Sequence, residues 1–272
     1  KSIFVSASKP ENLHVHILRN GLSRVYDGLD VNTLGGKVTL DSTVIGNYTD
    51  AVFAQVVRAY LPRALANVAH IMWIDNDFIV RGDVVPLLHN AFTREPSAVL
   101  AVVSRGELNK ETYSIDVRKK LRIERVPNWN AGLFLMNCHE WRRRNLVPEI
   151  GEILKTLTDH GHSMYKGLSF KGVSIQRPLN VLSSRYPTER LDGRWNVDGL
   201  GWDKSLRFET LCRAWALHWS GSSKPWLARG MYRDFWNVTE PFVCFTAERE
   251  PPAAWATQRQ AGVAGPGRHV VG

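Results

Sequence analysis

Three short stretches of the chain are apolar at every position: Ile71-Met72-Trp73-Ile74, Ala98 to Val103, and Gly132 to Met136. A strand with one wet face alternates apolar and polar residues, so continuous runs of this length predict strands covered on both faces. Glu149 to Leu157 reads as a helix, and a helix is expected after each of the later strands. Strands alternating with helices predict an α/β fold built on a mostly parallel sheet flanked by helices. Leu13 to Leu18, Lys37 to Leu40 and Ala214 to Leu217 add short strands. Thr49 or Asp50 is placed to cap a helix carrying Phe53, Val56, Val57, Tyr60 and Leu61. Ser163 to Asp203 is rich in Gly, Pro, Arg and Trp without a clean period, which predicts ordered, site-forming loop. Residues 247–272, with Pro251-Pro252 and Gly262 to Gly267, predict a disordered tail, leaving residues 1–246 as one folded domain.

Composition narrows the function classes. The chain has 272 residues, 44% of them hydrophobic, which excludes a wholly disordered or collagen-like protein. Cys138, Cys212 and Cys244 are odd in number and lack ligand spacing, against a disulfide framework or a zinc site. No run of about 18 apolar residues exists, so no membrane span is expected within this chain. Residues 1–90 hold 8 basic and 8 acidic side chains, so the whole net charge of +9 lies in residues 91–272. Arg118, Lys119, Lys120, Arg122, Arg125 and Arg142 to Arg144 carry much of it. Such asymmetry suits an anionic partner or a solvated basic face. Nine of the ten tryptophans lie at or beyond Trp129, and indoles serve cores and sugar- or base-stacking sites alike. Asn47-Tyr48-Thr49 and Asn237-Val238-Thr239 are glycosylation sequons, used only in a secretory lumen.

Chemistry concentrates at strand ends. Asp75-Asn76-Asp77 directly follows the apolar strand ending at Ile74, where open α/β sheets collect ligands. Two carboxylates one residue apart in a turn can share one hard divalent cation and leave positions for phosphate oxygens. They can equally cap local backbone in a solvated turn. Asn130-Ala131-Gly132 opens a strand with two small residues that admit a ligand close to backbone. His218 follows a short apolar strand and offers a nitrogen ligand that suits Mn²⁺ better than Mg²⁺. After it, Gly221 permits close backbone approach and Lys224 can neutralise a phosphate. Arg58 is expected on a helix near the same site. Gln176, Leu179-Asn180 and the segment Arg194 to Gly201 complete the set.

The order and spacing of these segments resemble the family-8 retaining glycosyltransferases, a GT-A-type group that uses nucleotide sugars and Mn²⁺. The resemblance covers roughly residues 2–242. It rests most on Trp73 to Val80 with Gly82-Asp83, on Trp129 to Asn137, and on His218 to Trp226. Trp195 to Gly201 and Arg58-Ala59-Tyr60-Leu61-Pro62 look most like the plant galacturonosyltransferase branch. The resemblance implies a GT-A nucleotide-sugar-binding fold, with Asp75, Asp77 and His218 holding Mn²⁺ against the diphosphate of a UDP-sugar. It implies diphosphate contacts for Gly221 and Lys224, and a donor contact for Arg58. Asn130 and Ala131 would line the donor sugar, and Gln176 would face the anomeric carbon.

These assignments imply transfer of a hexosyl or hexuronosyl unit to a glycan or other hydroxyl acceptor, with an anionic glycan favoured by the basic excess. Negative charge on the leaving UDP would be met by Mn²⁺, Lys224 and Arg58. Ile175-Gln176-Arg177 holds no carboxylate, so same-face attack is expected, with Gln176 stabilising positive charge at the anomeric carbon. Many family members carry Asp where Ile175 stands, which opens donor specificity. Residue 1 falls just before the second strand of the family pattern, so the first strand is expected to be missing from this sequence. A metal-dependent phosphoesterase would also use Asp75, Asp77 and His218, but leaves Lys224 to Trp226 and Asn130 to Gly132 without a task. A non-catalytic glycan- or nucleic-acid-binding module would set paired carboxylates against a polyanion, so nucleic acid is not expected as a partner. The sequons and plant-like segments suggest a Golgi-lumen domain cut from its anchor, with a cytoplasmic enzyme as the alternative.

Overall fold

Strands and helices alternate along the chain, as the apolar runs require. The computed structural model describes residues 2–18, 37–41, 57–160 and 175–237, all within one compact unit, Lys1–Pro241. Helix α1 (Ser2–Ser6) precedes strands β1 (His14–Leu18) and β2 (Lys37–Asp41). After α2 (Leu61–Ala64), strand β3 (His70–Ile74) turns into β4 (Phe78–Val80) and α3 (Val84–Asn90). Next come β5 (Leu100–Glu107), α4 (Ile115–Leu121), β6 (Pro127–Asn137), α5 (Cys138–Arg143) and α6 (Leu146–Asp159). The last described elements are α7 (Gln176–Arg185), β7 (Thr188–Arg190), α8 (Phe208–Arg213), β8 (Ala216–His218) and α9 (Arg233–Asn237).

The expected α/β class is found, and its strand directions are mixed. A four-stranded sheet has the order β3-β6-β5-β7. In it β6 runs antiparallel to both β3 and β5, while β7 runs parallel to β5. β1 pairs parallel with β2, and β4 pairs antiparallel with β8. The mostly parallel expectation therefore holds for β1/β2 and β5/β7 and fails at β6 and at the β4/β8 pair. Alternation of element types says that helices cover a sheet, and leaves the direction in which each strand re-enters it open.

Alternation along β6 shows why its run had to be apolar. Phe134 and Met136 enter one core cluster with Ile150, Ile153, Leu179 and Leu182, and Leu133 enters another with Phe78, Val80 and Trp195. Helix α6 buries Leu146, Ile150, Ile153 and Leu157, the spacing of one helical face, against that first cluster. Each such side chain contributes about 1.5–3 kcal/mol of burial. β3 differs from expectation: its residues are half-buried throughout, and among the described residues it stands at one end of the four-stranded sheet.

Other readings shift as well. The segment 163–203, expected as loop, contains helix α7, strand β7 and a 3-10 turn over Gly193–Asn196. α7 buries Pro178, Leu179, Val181 and Leu182, with proline in its first turn where no N–H is needed; its Arg and Ser content hides that face in the sequence. Arg58 lies in a 3-10 turn, Val57–Ala59, while the rest of the helix proposed before it falls outside the described residues. The tail proposed for residues 247–272 also lies outside them. Among the described residues no helix is long and apolar enough to cross a membrane. Cys138 and Cys212 form no disulfide among the described residues.

The basic cluster Arg142 to Arg144 is internal structure. Arg142 donates to the carbonyl oxygens of Pro62, Leu65 and Val68, at 2.8, 3.4 and 3.4 Å, tying α5 to the turn before β3. Glu140 receives Arg143 at 2.8 and 2.6 Å and Arg144 at 3.0 Å. The Arg143 hydrogen bonds foremost, then those of Arg144, hold the Glu140 carboxyl down at about 2. A carboxyl depressed in the folded state stabilises above its unfolded value and loses that contribution as pH falls towards its folded value. Glu140→Gln is therefore expected to lower the melting temperature at pH 6 to 7. Thermal scans should show the gap between variant and wild type narrowing from about pH 4.5 down towards pH 2; a gap independent of pH would refute the assignment.

Candidate metal and donor site

The β3–β6 pairing builds the floor of the site. Ile74 lies opposite Leu133, and the next residue, Asp75, donates its N–H to the carbonyl of Gly132 at 2.8 Å. The turn Asp75-Asn76-Asp77 then leads into β4, whose Phe78 lies opposite His218 of β8. Two pairings thus bring residues 75, 77, 130–132 and 218 together. One ligand atom from each of Asp75, Asp77 and His218 lies within 4.8 Å of the others, a group able to hold a metal ion.

Each member has a distinct environment. Asp77 is 6% exposed. Its Oδ2 accepts a short hydrogen bond from the Lys224 ammonium, while Oδ1 stands 3.3 Å from His218 Nε2. That approach is an ion-pair distance without hydrogen-bond geometry, so Oδ1 is buried without a donor. Burial pushes the Asp77 carboxyl up, but His218 and Lys224 outweigh it and hold the group below the usual aspartate range. Asp75 goes the other way: burial raises it, against the opposing pull of Arg58 and of the Trp73 indole. Trp73 Nε1 donates to Asp75 Oδ1 at 2.6 Å, and Arg58 Nη1 lies 3.5 Å from the same oxygen.

Arg58 also donates to the carbonyl of Ala131 at 2.8 Å and lies over the Trp73 ring, 4.3 Å from its centroid. Burial lowers its pKa, Asp75 offsets part of that, and the group stays a cation. Lys224 is anchored by a second bond, to the carbonyl of Trp219 at 2.7 Å. Gly221 before it has φ +104, and a Cβ there would meet Trp202 Cδ1 at 2.8 Å, so the loop needs glycine on both counts.

The residues fit a hard or borderline divalent cation. Two carboxylates and one imidazole nitrogen are the donor set expected for Mn²⁺, and a buried carboxylate oxygen without a donor points into the group. Gly132 clears the space: a Cβ there would lie 2.4 Å from His218 Cε1 and 2.9 Å from Nε2.

Every candidate residue proposed from the sequence is described, and most converge here. Asn130 Oδ1 accepts from Gly132 N–H at 2.8 Å, bracing the strand opening. Gln176 sits at the start of α7 with Oε1 accepting from Ala131 N–H at 3.2 Å and Nε2 donating to Trp129 O at 2.9 Å. Ile175 is buried in the core beside Leu179. Trp129, Trp195 and Trp219 are core residues, whereas Trp226 is 50% exposed. Trp202 is 63% exposed and lies against Gly221. Its position became visible only when the loops met.

A family model described as Glycosyl transferase family 8 matches residues 47–230, more than half of the chain. The chain belongs to glycosyl transferase family 8. Among the curated relatives of this family-8 chain is mouse (Mus musculus) glycosyltransferase 8 domain-containing protein 1, 28% identical across 76% of this chain and 59% of its own length. Human (Homo sapiens) glycosyltransferase 8 domain-containing protein 2 is 26% identical across 66% of this chain and 56% of its own length. The chain thus spans less than two thirds of these relatives. Among solved structures, the galactosyltransferase LgtC, in complex with donor and acceptor sugar analogues, superposes with TM-score 0.59 at 16% identity, covering 94% of this chain and 92% of its own. The glycosyltransferase GlyE of Streptococcus pneumoniae gives TM-score 0.55 at 18% identity, covering 86% of this chain and 56% of its own. The shared architecture is the GT-A fold, an α/β sheet flanked by helices.

Gly132 supplies a test of the geometry. Gly132→Ala should displace His218 and cost about 1–3 kcal/mol, as overpacking in a closed site does. Urea unfolding curves measure this, and a variant as stable as wild type would mean that His218 is not held against the strand.

Proposed function

We propose that this chain is a retaining glycosyltransferase that moves a hexosyl or hexuronosyl unit from a UDP-sugar to a hydroxyl acceptor with the help of Mn²⁺. The observation that carries the reading is the Asp75, Asp77 and His218 group flanked by two cations, Arg58 and Lys224, within a family-8 chain of GT-A fold. Asp75, Asp77 and His218 would hold Mn²⁺, which when bound supplies Lewis-acid stabilisation of a diphosphate leaving group.

The remaining roles belong to this chain's own residues. Lys224 stands at Asp77 and is within a side-chain swing of a diphosphate held there, where its ammonium would meet charge developing on the leaving oxygen. Arg58, fixed by Ala131 O and Trp73, would bind the donor from the other side. Asn130 and Ala131 would line the donor sugar, with Gly221 giving the diphosphate close backbone approach. Gln176 would face the anomeric carbon with its side-chain amide oxygen and stabilise positive charge as it grows there. The sugar C–O bond to UDP breaks, a new C–O bond to the acceptor oxygen forms on the same face, and the acceptor proton leaves with the departing phosphate. Ile175 offers no hydrogen bond to sugar hydroxyls, so donor choice would fall to other polar groups.

We further propose a glycan acceptor, and an anionic one. Support comes from the basic excess beyond residue 90 and from exposed Lys119, Lys120 and Arg122, since Arg142 to Arg144 are internally engaged. Trp202 and Trp226 add exposed indole surface beside the Gly221 loop for a sugar ring to stack on. A Golgi-lumen setting rests on the sequons at Asn47 and Asn237.

Thermal unfolding with UDP tests the donor and metal reading together. UDP at 100 times its Kd should stabilise the chain by about 2.7 kcal/mol, and only with Mn²⁺ present. Asp77→Asn should lose the Mn²⁺-dependent part while folding normally. An absent shift, or phosphate release from UDP in place of sugar transfer, would overturn the reading.

A further inference from the structure

The donor set explains which atoms would reach a metal, and a second layer explains why those atoms face it. Asn196, 4% exposed, sits in the 3-10 turn Gly193–Asn196 between β7 and α8. Its Nδ2 lies 3.2 Å from the backbone carbonyl of Asn130 and 3.4 Å from Asn130 Oδ1. A backbone carbonyl only accepts, so the Asn196 nitrogen must occupy that end of the amide. The other end, Oδ1, then faces His218 Nδ1 at 3.1 Å. An amide oxygen only accepts, so His218 carries its proton on Nδ1. In the neutral ring that leaves Nε2 as a bare lone pair.

Nε2 is the atom that stands 3.3 Å from Asp77 Oδ1, a buried oxygen without a donor. In the neutral ring these two lone pairs converge, so one cation could be shared by both. The ring cannot escape by tilting, since Phe78 stacks flat on it, with centroids 4.0 Å apart and planes 17° apart. Gly132 closes the Cε1 edge. Packing therefore fixes the plane of the imidazole, and the hydrogen bond to Asn196 chooses which nitrogen carries the proton.

We propose that Asn196 is a positioning residue for the metal site, holding His218 in the Nδ1–H tautomer so that Nε2 serves as ligand, with Asn130 fixing the orientation of Asn196. This rests on the metal reading above. It also gives Asn130 a task separate from any contact with sugar. The segment Arg194 to Gly201 stood out in the sequence without a residue role, and Asn196 gains one here.

The test measures Mn²⁺ affinity of the purified full chain, without donor, from the electron paramagnetic resonance signal of free Mn²⁺. Asn196→Leu removes the acceptor while keeping four side-chain heavy atoms branched at Cγ, and should weaken Mn²⁺ binding about 10- to 100-fold, the usual scale for a partner of a ligating histidine. Asn196→Asp keeps an acceptor for His218 Nδ1–H while losing the bond to Asn130. It should melt lower than wild type yet bind Mn²⁺ within about threefold of it, or more tightly. A merely structural Asn196 would make affinity follow stability across both variants. The double variant Asn196→Leu with His218→Ala should bind no more weakly than His218→Ala alone.

Wild-type affinity in Asn196→Leu, where His218→Ala loses affinity, would overturn this proposal and leave the metal reading standing. Multiplying losses in the double variant, or equal losses in Asn196→Asp and Asn196→Leu, would do the same. An unchanged affinity in His218→Ala would overturn both.

Discussion

The antiparallel register of β3 against β6 is the constraint on which the rest of the site depends. Pairing Ile74 with Leu133 sets Asp75 beside Gly132, and that bond delivers the acidic turn to the opening of β6. Shifting the register by one residue would turn every β6 side chain to the opposite face. Phe134 and Met136 would then leave the cluster they share with α6 and α7, so core packing holds the register that the site needs. Stability and site geometry are here the same set of contacts.

Charge compensation follows from that placement. Two carboxylates at a strand end repel one another and lose hydration together, which costs several kcal/mol unless cations are near. The protein sets Arg58 against Asp75 and Lys224 against Asp77, from opposite sides of the chain. The result is asymmetric: burial raises the Asp75 carboxyl, whereas cations win at Asp77 and lower it. One oxygen of Asp77 is held by Lys224 and the other is presented towards His218. A site arranged in this way can take a divalent cation without first breaking the lysine contact.

Much of the basic excess has a structural origin. Arg142 caps the carbonyls of the turn after α2, and Arg143 and Arg144 close on Glu140. Arg185 ties α7 to α6 through Glu149 at 2.6 Å, with the Tyr186 hydroxyl donating to the same carboxylate at 2.6 Å. Arginine suits these places because its planar donors reach several carbonyl or carboxylate oxygens at once. What remains for a partner is a smaller set of exposed charges, with the indoles of Trp202 and Trp226 beside the site loop.

By itself the sequence determined the local chemistry: doubly covered strands at residues 98–103 and 132–136, an acidic pair at the end of another strand, small residues at 131 and 132, and a histidine and lysine in one later loop. These were legible because each depends on residue type and near spacing. Helix α7, the direction of β6 and the exposure of β3 were not, since each depends on which distant surface an element meets. The same holds for the ends of the Asn196 amide, which are told apart only by a carbonyl 66 residues away. Hydrogen-bond direction and burial are properties of pairs brought together across the chain, so only the tertiary structure could decide which histidine nitrogen faces Asp77.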